Sequence, residues 1–305
     1  MAKPTSESQA LGDLAARQLA NATPTVPQLA TITPRWLLQL IAWVPVKAGV
    51  YRVNRVVDPE RVAVKVAPVG DEPLPQTHVD YETAPREYLL RPVSTILQVH
   101  TRVADLYSSP HDQVTEQLRL TIETVRESQE EQLVTHPEFG LLANVAEGQT
   151  LAPRYGPPTP DDLDALIAKV WKQPAFFLAH PLAVAAFGRE ATRRGVPPAT
   201  VTLFGSPFLT WRGIPIIPSD KVPVVDGATS FLLLRTGEDR RGVVGLFKPG
   251  LQGEQSPGLS VRFAGISDAA VASYLVSLYT SLAVLTDDAL AVLEGVRVDH
   301  FHDYA

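Results

Sequence analysis

Between residues 103 and 140 the chain reads VADLYSSPHDQVTEQLRLTIETVRESQEEQLVTHPEFG. Val114, Leu118, Ile122, Val125 and Leu133 recur at helical spacing. They predict one helix from Pro110 to Val134, with Ser109 as N-cap, Pro110 at the first helical position and Asp112 beside the positive end of the dipole. Its apolar stripe is thin. Glu116, Arg119, Glu123, Arg126, Glu127, Glu130 and Glu131 are expected to cover the remaining faces. Such a helix would span about 37 Å at 1.5 Å per residue, long for the core of one chain of this size. A structural spine, an ordinary long surface helix and an antiparallel coiled-coil partner all fit that pattern.

Before the helix, residues 1–35 are rich in Ala, Thr, Pro and Gln. Leu11, Leu14, Ala15, Gln18 and Leu19 suit one short amphipathic helix, and Pro24, Pro27 and Pro34 keep the rest extended, so the segment reads as an arm. Alternation in AGVYRVNRVVDPERVAVKV predicts a hairpin, with Tyr51 and Val53 on one strand, Val62, Val64 and Val66 on the next, and DPE as the turn. The five prolines that follow, up to residue 93, leave little room for helix or central strand. A ribbon this extended is expected to rest on a neighbouring subunit.

After RYGPPTP two short helices are well signalled. Thr159 and Pro160 open TPDDLDALIAKVWKQ, and HPLAVAAFGREATRRG closes on Gly195. Strands are then expected in TVTLFG, IPIIPSD, SFLLLRTG, GVVGLFKPG and LSVRFAG, and in YLVSLYTSLAVL from Tyr274 to Leu285. Helices and strands mix without regular alternation, so the class is α+β. No internal repeat or low-complexity tract is present.

Composition narrows the function. The 305 residues carry net charge −6, with no run of five or six like charges, which argues against nucleic acid as a partner. Trp36 to Val44, WLLQLIAWV, is the most apolar early run and only about half the length of a membrane span. With no segment resembling a signal peptide, the expected location is cytosolic and no membrane partner is expected. There is no cysteine, and methionine occurs only at position 1, so disulfides, thiolate metal sites and thiol nucleophiles are excluded.

No phosphate-cradling glycine motif, H-E-x-x-H or G-x-S-x-G elbow occurs in the sequence. His300 and His302, with Asp299 and Asp303, have residue types that bind metals, but at the end of the chain a solvated tail is expected. Asp161/Asp162 and Asp287/Asp288 stand at element starts, where carboxylates cap helices. Trp36, Trp43, Trp171 and Trp211 read as packing anchors, while RRGVPP and GEDRRG read as turns with local positive charge. No catalytic, cofactor-binding or metal-binding residue is assigned.

The order of arm, extended hairpin, long helix, mixed α/β region and late return strand is that of the tailed-phage (Hong Kong type) major capsid fold. The sequence resembles family 2A encapsulin shell proteins through AARQLANAT, VPQLATITPRWL, DLYSSPHDQ, EQLRLTIE, PTPDDLDALI, FFLAHPL, WRGIP, GEQSPGLSVRF and SYLVSLYTSLAVLTDDALAVLE. The resemblance implies residues 1–46 as an N-terminal arm, 47–92 as the E-loop and 93–150 as the P-domain with its spine helix. Residues 151–271 would be the A-domain, and 272–305 the P-domain return strand and C-terminal segment.

The resemblance further implies a bacterial nanocompartment with an icosahedral shell of about sixty copies. The implied cargo is a pyridoxal-phosphate-dependent cysteine desulfurase, giving a role in sulfur metabolism. The shell itself would be no enzyme and would need no cofactor. Arg193, Arg194, Gly195, Val196, Pro197 and Pro198 are the candidates for a five-fold pore loop, because a Gly/Pro-tipped loop suits a converging ring. A body without sulfur is accounted for by base composition and drift; it also suits a shell around persulfide chemistry, or a protein made under sulfur limitation. The alternatives are a viral or prophage capsid subunit and an α+β enzyme.

Overall fold

The computed structural model describes residues 31–54, 56–57, 63–64, 73–100 and 113–301. The expected short helix at Leu11–Leu19, the cap at Ser109–Asp112 and the pair His302/Asp303 lie outside the described residues. Four α-helices are described: α1 Trp36–Leu40, α2 Gln113–Thr135, α3 Pro160–Lys169 and α4 Pro181–Arg193. They pack around two main sheets.

In the first sheet Val271–Val284 is the central strand. Its last five residues pair antiparallel with Val243–Phe247, and most of the rest pairs with Leu259–Ile266 and with Arg91–His100. Ala42–Pro45 adds parallel to Val243–Phe247. Helix α2 lies on this sheet through Leu118, Ile122 and Val125, which meet Val93, Leu259 and Val276.

The second sheet runs in the order 150–151, 290–297, 228–234, 176–179, 214–218, 206–211, 199–203. Both of its faces are covered, so 176–179, 231–234 and 290–293 at its centre are apolar at every position rather than at alternate ones. Phe177, Ala179, Phe231 and Leu233 face α3 and α4, whereas Phe176, Leu178, Leu232 and Leu234 join Leu37, Leu133 and Leu282 in the core between the two sheets. That shared core locks the sheets together. Strands 243–247 and 259–266 thus belong with the first sheet and 290–297 with the second, so the block 151–271 expected from sequence is divided between them.

The hairpin differs from expectation. Val50–Val53 pairs with Arg86–Leu89, and Val56–Val57 pairs with Asp80–Tyr81, so the return strand is 80–89 and not the valine run after DPE. Of that run the structure describes Val64, which is 76% exposed and outside any strand. The return strand is fixed by Tyr88, which is buried opposite Tyr51 and donates its own hydroxyl to the Val284 carbonyl at 3.1 Å. Arg52 and Glu87 add a cross-strand ion pair at 2.7 Å.

Candidate assembly contacts and pore loop

Helix α2 is sparsely apolar because its second half buries polar groups. Glu127, Gln129 and Glu130 are all buried, alongside Val125, Leu133 and Val134. This corrects the expectation that Glu127 and Glu130 lie on a solvated face. The two acids receive the segment that enters from the N-terminal side. Glu127 accepts hydrogen bonds from the Thr33 amide at 2.8 Å and hydroxyl at 2.9 Å, from Arg35 at 3.0 Å and from Lys221 at 2.9 Å. Arg35 also pairs with Glu123, and its backbone is left-handed at φ 50° where it turns the chain into α1.

Glu130 accepts the Leu37 amide at 3.0 Å, so a side chain of one helix satisfies an otherwise open N–H in the first turn of another. Burial alone would raise the Glu127 carboxyl, but hydrogen bonds from Lys221 and Thr33 hold it below the usual range. Among the described residues no cation pairs directly with Glu130, and burial pushes it up to about 7 despite the Leu37 amide. Gln129 donates to Thr280 at 3.2 Å and Arg126 to Ser256 at 2.6 Å, tying the same helix to the first sheet.

Two aromatic contacts complete the docking of residues 36–45. Trp36 stacks on Phe204 at 5.8 Å and meets Phe208 edge-on at 5.2 Å. The Trp43 ring lies over Gly245, where an added Cβ would come within 2.7 Å of it. Trp211 is also a buried anchor, but Trp171 is 69% exposed, contrary to the reading of all four tryptophans as packing residues.

The candidate pore residues occupy the end of α4. Gly195, at φ 75°, donates to Thr192, and Val196 donates to Ala191, both at 3.0 Å. These two bonds form a Schellman motif, which needs the left-handed residue that glycine supplies. Gly195, Val196 and Pro197 are exposed and Pro198 is half-buried before strand Ala199–Leu203 begins. Arg193 and Arg194 both reach back to the buried Glu190, at 3.1 and 3.7 Å, and Arg194 lies 5.7 Å over the Tyr155 ring. The structure thus gathers all six residues into one stiff turn and adds Glu190. The spacing of Glu190 to Arg193 and Arg194, three and four residues along a helix, is the signal that could have found it.

The acidic pairs serve as structural partners. Asp162 completes a capping box with Thr159 and accepts from Arg154 at 2.8 Å, while Asp288 binds Arg235 at 2.6 Å. Among the described residues no group of three His, Asp or Glu is placed to hold a metal ion, and no helix is long and apolar enough to cross a membrane.

Comparison with known proteins gives these surfaces their context. The family model for SrpI-like type 2A encapsulin shell proteins matches residues 51–300. A type 2A encapsulin shell protein of Mycobacterium leprae is 72% identical over 306 residues, covering 100% of both chains. The cryo-EM structure of the holo-SrpI encapsulin complex from Synechococcus elongatus is similar with a TM-score of 0.86 at 64% identity, covering 97% of this chain and 99% of that one. The capsid of a native GTA particle, at 14% identity, shares the fold with a TM-score of 0.59, covering 94% and 100% of the two chains. The α+β architecture is that of phage-type capsid proteins, and its relatives are structural proteins rather than catalysts. The chain belongs to the type 2A encapsulin shell proteins, whose subunits assemble into a nanocompartment.

Proposed function

We propose that this chain forms an icosahedral shell of about sixty copies in the cytoplasm and encloses a cysteine desulfurase, with a role in sulfur metabolism. The observation that carries the cargo reading is that the Synechococcus relative, 64% identical, forms a holo complex. The absence of cysteine, with methionine only at position 1, is consistent with a wall around sulfur-transfer chemistry. Residues 1–46 act as the arm, 47–92 as the E-loop, and the two sheets as the bodies of the P- and A-domains. The mechanism is confinement: many equivalent inner-face positions hold tethered cargo, and pores filter solutes.

Arg193 to Pro198 form the five-fold pore loop in this reading. The stiff Schellman turn and the exposed Pro197 suit a ring of fixed aperture, and Glu190 partly offsets the charge of Arg193 and Arg194.

Particles purified from the native host test the cargo. Mass spectrometry should find a cysteine desulfurase that resists protease until the shell is opened, with the absorbance of bound pyridoxal phosphate. Empty particles would overturn this, and nucleic acid inside would favour a viral or prophage capsid. For the loop, a cryo-EM map that places Arg193–Pro198 away from every symmetry axis would refute the assignment. Cysteine-substituted shells that stay intact and unmodified beside active cargo would remove the protective meaning of the sulfur-free wall.

A further inference from the structure

A cleft of about 410 Å³ opens where the end of α3 meets the turns at 237–242 and 286–288, lined by Trp171, Lys172, Arg235, Arg240, Arg241 and Asp288 among others. Its charge is unbalanced: four cations face one carboxylate. Asp288 is already engaged on both oxygens, by Arg235 at 2.6 Å and by Lys172 at 2.9 Å. Glu238, at the start of the same turn, accepts from the Tyr51 hydroxyl at 2.8 Å. Among the described residues neither Arg240 nor Arg241 has an ion-pair partner.

Three further observations mark the cleft as more than a solvated turn. Arg235 is only 3% exposed, and its Nε has no hydrogen-bond partner although its other nitrogens bind Asp288, Thr286 and the Lys172 carbonyl. Two non-glycine lining residues, Gln173 at φ 66° and Arg241 at φ 52°, hold the left-handed conformation, a cost that tends to be retained at binding sites. Trp171 stands exposed at the rim with Lys172 5.8 Å from its ring. The volume is within the range of small-ligand sites.

We propose that this cleft binds a phosphate-class oxyanion, held by Lys172, Arg240 and Arg241 over the fixed positive base of Arg235, with Trp171 at its rim. Guanidinium pairs match the geometry of a tetrahedral oxyanion, and because Asp288 offsets one of the four cations the cleft keeps an excess of positive charge. Repetition in the shell would give one such site per subunit.

The test uses assembled shells and reads tryptophan fluorescence while inorganic phosphate or sulfate replaces chloride at constant ionic strength. A saturable change that is absent in Trp171→Phe is expected. Its midpoint should rise at least about tenfold in Arg240→Ala/Arg241→Ala, which removes two charge-assisted donors and leaves the Arg235–Asp288 pair intact. An unchanged midpoint in that variant, or an identical response to chloride, would overturn the proposal. Phosphorus NMR of phosphate gives a second reading on shells of Arg240→Gln alone, should the double variant not assemble. Line broadening by wild-type shells that this variant diminishes supports the site, and equal broadening refutes it.

Discussion

Glu130→Gln is expected to stabilise the protein above neutral pH, although Glu130 makes a native hydrogen bond. The carboxyl is 1% exposed and burial raises it from 4.5 to about 7. A folded-state value above the unfolded one means that the folded chain holds the extra proton between these limits. Stability therefore falls as pH rises from about 4.5 to 7 and stays lower above that. The shift corresponds to about 3 kcal/mol. Glutamine keeps the carbonyl oxygen that accepts the Leu37 amide at 3.0 Å and cannot ionise. It should behave at every pH like the protonated acid. Denaturant or thermal unfolding of shells at matched concentration, at pH 5 and pH 8, checks this. The variant should exceed wild type by no more than about 1 kcal/mol at the lower pH and by up to about 3 kcal/mol at the higher one. Each comparison is made at one pH, so other titrating groups cancel. A difference that does not change with pH, or a variant less stable at pH 8, would refute the reasoning.

Glu127→Gln should do the opposite. Its folded value is depressed, so its contribution of about 1–3 kcal/mol is present above the unfolded value of 4.5 and fades as pH falls through the lowered one, which paired melts at pH 3 and 7 would reveal. Gly245→Ala places a Cβ 2.7 Å from the Trp43 ring and should cost about 1–3 kcal/mol, read as a lower Tm with faster proteolysis at residues 36–45. Phe187→Ala removes a fully buried ring that meets Trp211 at 5.5 Å and Phe231 at 6.4 Å, for an expected loss of about 3–5 kcal/mol in denaturant unfolding. Asp162→Ala removes one half of a buried capping box and the partner of Arg154; a loss of about 1–2 kcal/mol is expected, and no change in Tm would show that α3 is held by packing alone.

The fold was most legible where one periodicity or cap dominated. The long helix, the Thr159 and His180 starts and the strand over Tyr274–Val284 all follow from local signals. Phe176–Ala179, buried on both faces, has neither alternation nor length to separate strand from helix, and its place in the second sheet is set by partners at 214–218 and 228–234. The hairpin partner was misread because valines after DPE alternate well, whereas the true partner depends on Tyr88 reaching Val284 across nearly two hundred residues. For the same reason Glu127 and Glu130 look solvated in sequence: their partners Thr33, Leu37 and Lys221 are about ninety positions away. Glu190 beneath Arg193 and Arg194 was legible in its three- and four-residue spacing, whereas the cleft at Arg235 required three dimensions.

The placement of the last strands sets when a subunit becomes usable during its synthesis. Val271–Val284 is the central strand of one sheet, and Leu290–Arg297 is an inner strand of the other. A nascent chain emerges N-terminus first, so neither sheet can be completed until residues 271–297 have left the ribosome. Ribosome-bound chains halted before residue 271 should accordingly be cut by protease throughout both bodies. Crowded polysomes would then carry many unfinished subunits without seeding partial shells, and closure around another protein would wait until each wall piece is released whole.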